Sequence, residues 1–155
     1  MEDLRLALRC LAKAVVVITT VKDGVRYAMA ATAVSELSFD PPSMLVCVNQ
    51  TASLCPVLGQ GAPFAINILN KDQMDIANCC AGKLKGEARF EVGEWSASDL
   101  DVPVLGEAQA AIVCSNVNSI RHGTHGIFIG NVEQVILGGQ PDPLVYCDGR
   151  FTAVA

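Results

Sequence analysis

The sequence predicts a mainly β fold, a largely antiparallel barrel with short flanking helices. Residues 15–20 are all valine, isoleucine or threonine, whose β-branched side chains favour a strand. The later apolar runs are joined by short turns rather than by crossover helices, which favours antiparallel pairing over a βαβ sheet. With no internal repeat or low-complexity linker, residues 1–155 are expected to form one domain.

The N-terminal elements are predicted by local signals. Leucines recur at helical spacing within 4–11 and follow Asp3, a favourable N-cap residue, so a short amphipathic helix is expected. After the first strand, Asp23 and Gly24 form a pair typical of tight hairpins. Residues 26–34 are therefore expected to return as the partner strand.

The rest of the chain alternates short apolar runs with turn residues. Further strands are expected at 43–49, 64–69, 108–116, 126–137 and 143–147, with a short helix or turn at 51–59 and a helix at 71–80. Residues 119–125 are expected to connect the two longest strands, and Asp148 and Gly149 to turn the chain into its last segment.

The composition excludes several classes of protein. Apolar residues make up 51% of the chain and the net charge is −5, which argues against disorder and against nucleic-acid binding. No apolar run approaches the roughly 18 residues that span a bilayer. The acidic N-terminus lacks the basic flank of a signal peptide, so a cytoplasmic protein is expected. Seven scattered cysteines without a C-x-x-C pair predict reduced, mostly buried thiols.

Charged residues are only 17% of the chain, against about 25% in an average domain. This apolar surplus has two explanations. Either the core is unusually large, or an apolar face is covered by a partner.

The common nucleotide and hydrolase motifs are missing. The chain has no G-x-G-x-x-G after a strand, no G-x-x-x-x-G-K-[ST] and no G-x-S-x-G. His122 and His125 form an H-x-x-H pair without supporting ligands, so no metal site is predicted.

Residues 28–35 are unusual for a strand because most of them are small. Small side chains can serve close packing against another backbone. They can equally leave room for a flat ligand that binds the exposed amides, such as a flavin ring. Composition leaves both interpretations open.

The order of further motifs resembles one family along nearly the whole chain. The matching segments are the small-residue strand, 38–42, 46–49, 51–53, 64–69, 72–73, 81–83, 89–90, Trp95, 123–125, 130–132 and 143–146. This ordered set resembles the flavin reductase-like, FMN-binding split-barrel family, the small reductase components of two-component aromatic monooxygenases. The resemblance implies an antiparallel, Greek-key-like split β-barrel.

The resemblance also implies a flavin site. The residues it places there are Ala30, Ala31, Thr32 and Ala33 along the ring, Val48 and Asn49 beside the ribityl chain, and Ser53, Ala81, Gly82 and Lys83 at the phosphate. Family members often carry threonine where this chain has Ala30, which bears on flavin affinity.

On the nicotinamide side, the resemblance places His125 as the catalytic candidate. Tyr146, Arg150 and Phe151 are candidates for the border of the same opening. Arg150 could pair with a dinucleotide phosphate or be a solvated charge, and both interpretations stay open.

The implied function is an NAD(P)H:flavin oxidoreductase that reduces FMN or FAD with NADH or NADPH and supplies a partner monooxygenase. The alternatives are a non-catalytic flavin carrier and a flavin-dependent reductase of another acceptor, such as a corrinoid cobalt. Because the family is typically homodimeric, the apolar surplus is interpreted as a dimer interface.

Overall fold

The computed structural model describes residues 1–155. The strands are β1 (Lys13–Ala14), β2 (Val16–Lys22), β3 (Val25–Ala31), β4 (Val34–Phe39), β5 (Pro42–Asn49), β6 (Phe64–Ile68), β7 (Trp95–Ala97), β8 (Pro103–Leu105), β9 (Ala110–His122), β10 (His125–Leu137), β11 (Leu144–Cys147) and β12 (Arg150–Ala153). The helices are α1 (Glu2–Arg9), α2 (Leu54–Gly59) and α3 (Met74–Asn78), followed by a π-helical turn (Cys79–Lys83) and a 3-10 helix (Gly86–Glu91).

Seven strands form one antiparallel sheet in the order β3-β2-β6-β9-β10-β5-β4. β3 and β4 lie at opposite edges of this sheet, yet only Thr32 and Ala33 connect them. Such a link spans at most about 11 Å, so the two edges must approach each other and the sheet must curl. The predicted antiparallel barrel is thus confirmed, with a split between β3 and β4 where no ladder forms.

The split corrects one prediction. A single strand was expected over 26–34, but the chain leaves β3 after Ala31 and begins β4 at Val34. A hydrogen bond from β5 holds this link in place, because the Cys47 backbone N–H donates to the Ala33 carbonyl at 2.9 Å. Small residues suit this crossing because the backbone passes close to β5.

The β2–β3 hairpin follows its prediction closely. Asp23 and Gly24 both have positive φ angles, 51° and 78°, as the two central residues of a type I′ turn require. The neighbouring residues Lys22 and Val25 are paired across the ladder. This local turn sets the register of both strands.

The expected connection at 119–125 is wrong. β9 continues to His122 and β10 begins at His125, with only Gly123 and Thr124 between them. Polar residues there belong to an exposed two-stranded ribbon rather than to a loop. His122 and His125 are therefore cross-strand partners.

The helices agree with the predictions except at their ends. α1 begins at Glu2 with Met1 as its N-cap, so Asp3 lies in the first turn instead of capping it. The helix expected at 71–80 is shorter, because α3 ends at Asn78 and passes into the π-helical turn. None of the helices has the length and apolar character needed to cross a bilayer.

Two packed clusters surround β2. One fills the barrel and includes Ile18, Val46 and Phe64. The other lies outside it, where β2 and β3 pack against α3 and β8. All seven cysteines are free, and Cys55, Cys79, Cys80 and Cys114 are buried, as expected for small apolar residues.

A smaller, three-stranded sheet, ordered β1-β11-β12, adjoins the barrel beside the end of β3. It is tied to α1, because the Asp148 N–H donates to the Arg9 carbonyl at 3.1 Å. The side chains repeat the contact, with Arg9 Nε 2.8 Å from Asp148 Oδ1.

Candidate functional site

A cleft of about 480 Å³ opens where β3 ends at the split. Seven of its nine lining residues were predicted, some for the flavin site and some for the nicotinamide side. These are Ala30, Ala31 and Thr32 from the flavin ring side, Ala81 from the phosphate side, and Tyr146, Arg150 and Phe151 from the nicotinamide side. Val15 and Gly149 complete the lining and were not expected there. The structure therefore brings together residues separated by more than a hundred positions in sequence.

The floor of the cleft is the open edge of β3. This strand pairs only with β2, so every second residue turns its backbone N–H and C=O away from the sheet. The Ala28 carbonyl points to this edge, where Arg89 Nη1 donates to it. By the two-residue period of a strand, Ala30 presents its backbone polar groups at the same edge.

Side-chain direction along β3 also alternates. Ala30 packs with the outer cluster that contains Val15 and Ala28, whereas Ala31 packs with the barrel interior. Ala30 therefore places no more than a methyl group on the cleft side of β3. This leaves a shallow floor of backbone and methyl groups.

One wall of the cleft is the π-helical turn that carries Ala81, Gly82 and Lys83. Gly82 has a φ of 129°, a conformation that residues with a Cβ rarely adopt, and it breaks the helical geometry one residue before the turn ends at Lys83. Lys83 is exposed and forms no ion pair. Its ammonium group is therefore not neutralised by a carboxylate of this chain.

Arg89 fastens that wall to the floor. Its Nε donates to the Leu84 carbonyl at 2.8 Å, one residue after Lys83, while Nη1 bonds to Ala28 on β3. Sequence reasoning did not assign Arg89 to the site. Its half-buried position and its two backbone bonds identify Arg89 as a residue of the site, and no local sequence pattern predicts either.

Arg26 adds a second fastening between β3 and the 3-10 helix. Its guanidinium lies 4.2 Å from the centre of the Phe90 ring and its Nε is 3.0 Å from Glu87 Oε1. The hydrogen bond from Arg26 lowers the pKa of Glu87 below its ordinary value.

The opposite wall is the β11–β12 hairpin. Tyr146 and Phe151 are cross-strand partners whose rings meet edge to face, with centroids 5.6 Å apart. Such a pair is rigid and gives one side of the cleft an apolar surface with a hydroxyl group. Arg150, beside it, is exposed and forms no ion pair.

The remaining predicted residues form a separate group at the end of β5. His125 lies opposite Asn49 across the β10–β5 ladder, and neither lines the cleft. The His125 Nδ1 is 2.9 Å from Thr124 Oγ1. Asn49 Oδ1 accepts bonds from the backbone N–H and hydroxyl of Thr51.

Val48 and Ser53 belong to the same group. The Val48 side chain is completely buried, so only its backbone could face a ligand. Ser53 precedes α2, and its hydroxyl makes no capping bond, so it remains available. Ala33 connects the two groups, since it follows Thr32 of the cleft and bonds to Cys47, two residues before Asn49.

The cysteines near the site are packing residues. Cys80, just before Ala81, is buried, and this burial raises the pKa of its thiol to about 11. Burial likewise raises the pKa of Cys114 to about 12. Both stay protonated at neutral pH, and a protonated thiol is a poor nucleophile.

Comparisons with known proteins show the family to which the chain belongs. The family model described as "Flavin reductase like domain" matches residues 8–155. The reductase component of FADH(2)-dependent resorcinol hydroxylase from Rhizobium sp. is 35% identical over 99% of this chain and 87% of its own length. FMN reductase (NADH) RutF from Pseudomonas syringae is 35% identical over 94% of this chain and 82% of its own.

Solved structures show the same fold. Flavin reductase PheA2 in its native state superposes with a TM-score of 0.90 at 30% identity, covering 99% of this chain and 97% of its own. BorF, the flavin reductase component of a bacterial two-component tryptophan halogenase, gives 0.89 at 28% identity, covering 99% and 97%. The family indicated by the ordered motifs is thus confirmed: this chain belongs to the flavin reductase like domain family.

Proposed function

We propose that this chain, as one domain over 1–155, is an NAD(P)H:flavin oxidoreductase that reduces FMN or FAD and supplies the reduced flavin to a partner monooxygenase. The observation that carries this proposal is the cleft itself. The open edge of β3, with the methyl group of Ala30, forms the floor of the cleft. The Tyr146–Phe151 pair and the unpaired Arg150 form one of its walls. The named activities of the relatives, FMN reductase (NADH) among them, support the same chemistry.

The residues present fit a flavin. A planar ring with hydrogen-bonding atoms along one edge needs a flat floor and backbone partners, and Ala30 offers both. A negative phosphate needs donors and positive charge, which the Ser53 hydroxyl and the unpaired Lys83 can supply. No acidic side chain lines the cleft.

A bound flavin would supply the hydride acceptor and a reduced nicotinamide the hydride donor, so the redox chemistry would belong to the two nucleotides. The chain contributes orientation and exclusion of water. Backbone groups of Ala30 fix the ring edge, and the Tyr146–Phe151 pair closes one side of the cleft with an apolar surface. We propose that His125 contacts the nicotinamide ring from the β5 side, where Ala33 joins the end of the cleft to β5.

The purified protein is expected to oxidise NADH in the presence of excess FMN, with loss of absorbance at 340 nm. No loss beyond background would contradict the reductase. Flavin binding without NADH oxidation would instead indicate a carrier, and NADH-dependent reduction of a cobalt corrinoid in preference to free flavin would indicate the other alternative.

The His125→Ala variant is expected to raise the KM for NADH about fivefold, the effect of one lost hydrogen bond, while FMN affinity stays unchanged. Steady-state kinetics and a flavin titration measure the two quantities. His122→Ala is the matched control, because His122 is the cross-strand partner on the same exposed turn. Equal loss in both variants, or equal loss of FMN affinity, would contradict the placement of His125.

We also propose that the chain forms a homodimer through an apolar groove formed by β4, β5, β9 and β10. The groove has a volume of about 450 Å³ and includes Met44, Ile112 and Val132. At its rim Phe39 is 89% exposed and Leu137 is 81% exposed, although both are large and apolar. Contiguous exposed apolar surface of this kind usually marks an interface.

Sedimentation at micromolar concentration is expected to show a dimer, and Leu137→Glu is expected to shift it toward monomer because a charge would be buried in the contact. Val25→Glu is the control, since Val25 is also apolar and exposed but lies at the far hairpin tip. A monomeric parent protein, or equal dissociation by both variants, would contradict this interface.

A further inference from the structure

A second cavity lies next to the cleft, between α1, β1 and the turn at Asp148 and Gly149. Its volume is about 230 Å³, and we call it the α1 pocket. Tyr146 and Gly149 line both the α1 pocket and the cleft. Because Lys13 of the α1 pocket and Phe151 of the cleft flank Tyr146 on its two neighbouring strands, the two cavities adjoin at this residue.

The α1 pocket is cationic in a chain whose net charge is −5. Arg5, Arg9 and Lys13 line it, and Asp148 is its one carboxylate. Arg9 holds that carboxylate by a direct hydrogen bond, which lowers the pKa of Asp148 and keeps it ionised at neutral pH. Asp148 thus offsets Arg9 and leaves two positive groups in excess.

Those two groups are weakly engaged. Lys13 forms no ion pair. Arg5 forms one ion pair, with Glu2 at 3.9 Å, and the side chains of Arg5 and Glu2 are both largely exposed to solvent. Lys13 is half-buried and pairs with Tyr146 across the β1–β11 ladder. It therefore stands at the boundary between the two cavities, and Arg150 stands on the cleft side of the same tyrosine.

We propose that the α1 pocket binds the phosphate-bearing half of the nicotinamide dinucleotide while its nicotinamide ring lies in the cleft. This inference rests on the proposed function. A dinucleotide joins an uncharged reactive ring to charged phosphates, and these paired cavities offer an apolar wall followed by two free cations. The free cation proposed for the flavin phosphate, Lys83, is on the opposite wall, so it does not compete for this pocket.

The pocket is tested by hydride donors that share the ring and differ in phosphate. NADH carries two phosphates, reduced nicotinamide mononucleotide carries one, and 1-benzyl-1,4-dihydronicotinamide carries none. In Arg5→Gln/Lys13→Gln, the KM for NADH is expected to rise about tenfold, from about threefold for each exposed charge. The KM for the benzyl donor is expected to stay the same.

Ionic strength gives a second readout. The KM for NADH of the parent protein should increase with added salt, and this slope should be smaller in the double variant, because fewer charges remain to be screened. Lys22→Gln is the charge-matched control, since Lys22 lies at the opposite end of β2 and bonds only to Gln60. It should alter neither KM nor slope.

Binding of ADP-ribose, measured by calorimetry, separates this inference from the reductase itself. If the parent protein fails to oxidise NADH but binds ADP-ribose about tenfold more tightly than the double variant, the reductase fails and the pocket stands. Equal ADP-ribose affinity in both proteins would overturn the pocket. So would an equal KM increase for the benzyl donor, or an effect confined to the KM for FAD, which would assign the phosphates to the flavin.

Discussion

Replacing Gly130 with alanine is expected to lower the midpoint of thermal unfolding by about 5 to 10 °C. A Cβ at this position would lie 2.5 Å from the Cβ of Cys114 and 2.7 Å from Cζ of Phe64. Both neighbours are completely buried inside the barrel, so neither can move into solvent. Overpacking of this kind costs about 2 to 3 kcal/mol, and each kcal/mol shifts the midpoint by roughly 2 to 4 °C at this chain length.

The matched control is Gly139→Ala. A Cβ there would meet no heavy atom within 4 Å, and Gly139 is not among the residues with positive φ. Its midpoint should stay within about 1 °C of the parent value. Scanning calorimetry measures both variants, and similar shifts in the two would show that the close approach of β10 to Phe64 does not determine the effect.

The contrast between two turns shows what the sequence could and could not predict. The β2–β3 hairpin was predictable because Asp23 and Gly24 carry a local signal for positive φ. The link at Thr32 and Ala33 carries no such signal. It is required only because β3 and β4 occupy opposite edges of the same sheet, and that depends on how all seven strands pair.

The residues of the site also fall into those that the sequence could predict and those that it could not. Resemblance to a family supplied seven of the nine residues that line the cleft, and the structure places Ala30, Ala81 and Tyr146 in this one cavity. The sequence did not identify Arg89 or Lys13 as residues of the site. A charged residue in a polar segment gives the same sequence pattern whether its side chain is solvated or bonds two elements together. Only their contacts and neighbours distinguish these two roles.

The apolar surplus illustrates a third limit. Composition shows an apolar surplus, and it does not say whether these side chains fill a large core or lie on a covered face. The structure exposes Phe39 and Leu137 at the rim of one apolar groove. The dimer stays a prediction, now with a defined surface on which to test it.

Replacing Ala30 with leucine is expected to weaken FMN binding at least tenfold while the unfolding midpoint stays within about 2 °C. The Ala30 side chain lies on the cleft side of β3 and is only half-buried, so the larger group has room in the empty cleft and occupies the space proposed for the ring. Ring and leucine cannot share that volume, and overpacking costs about 1 to 3 kcal/mol. Quenching of flavin fluorescence measures the affinity.

Riboflavin and a second variant make this experiment specific to the ring. Riboflavin lacks the phosphate, so its affinity should fall by the same factor as that of FMN if leucine displaces the ring. Ala153→Leu adds the same side chain at an exposed position of β12 outside the cleft and should change neither affinity. Unchanged FMN affinity in Ala30→Leu would favour the other interpretation of the small residues: they would serve the close passage of the chain across the split, and the flavin would lie elsewhere on the barrel.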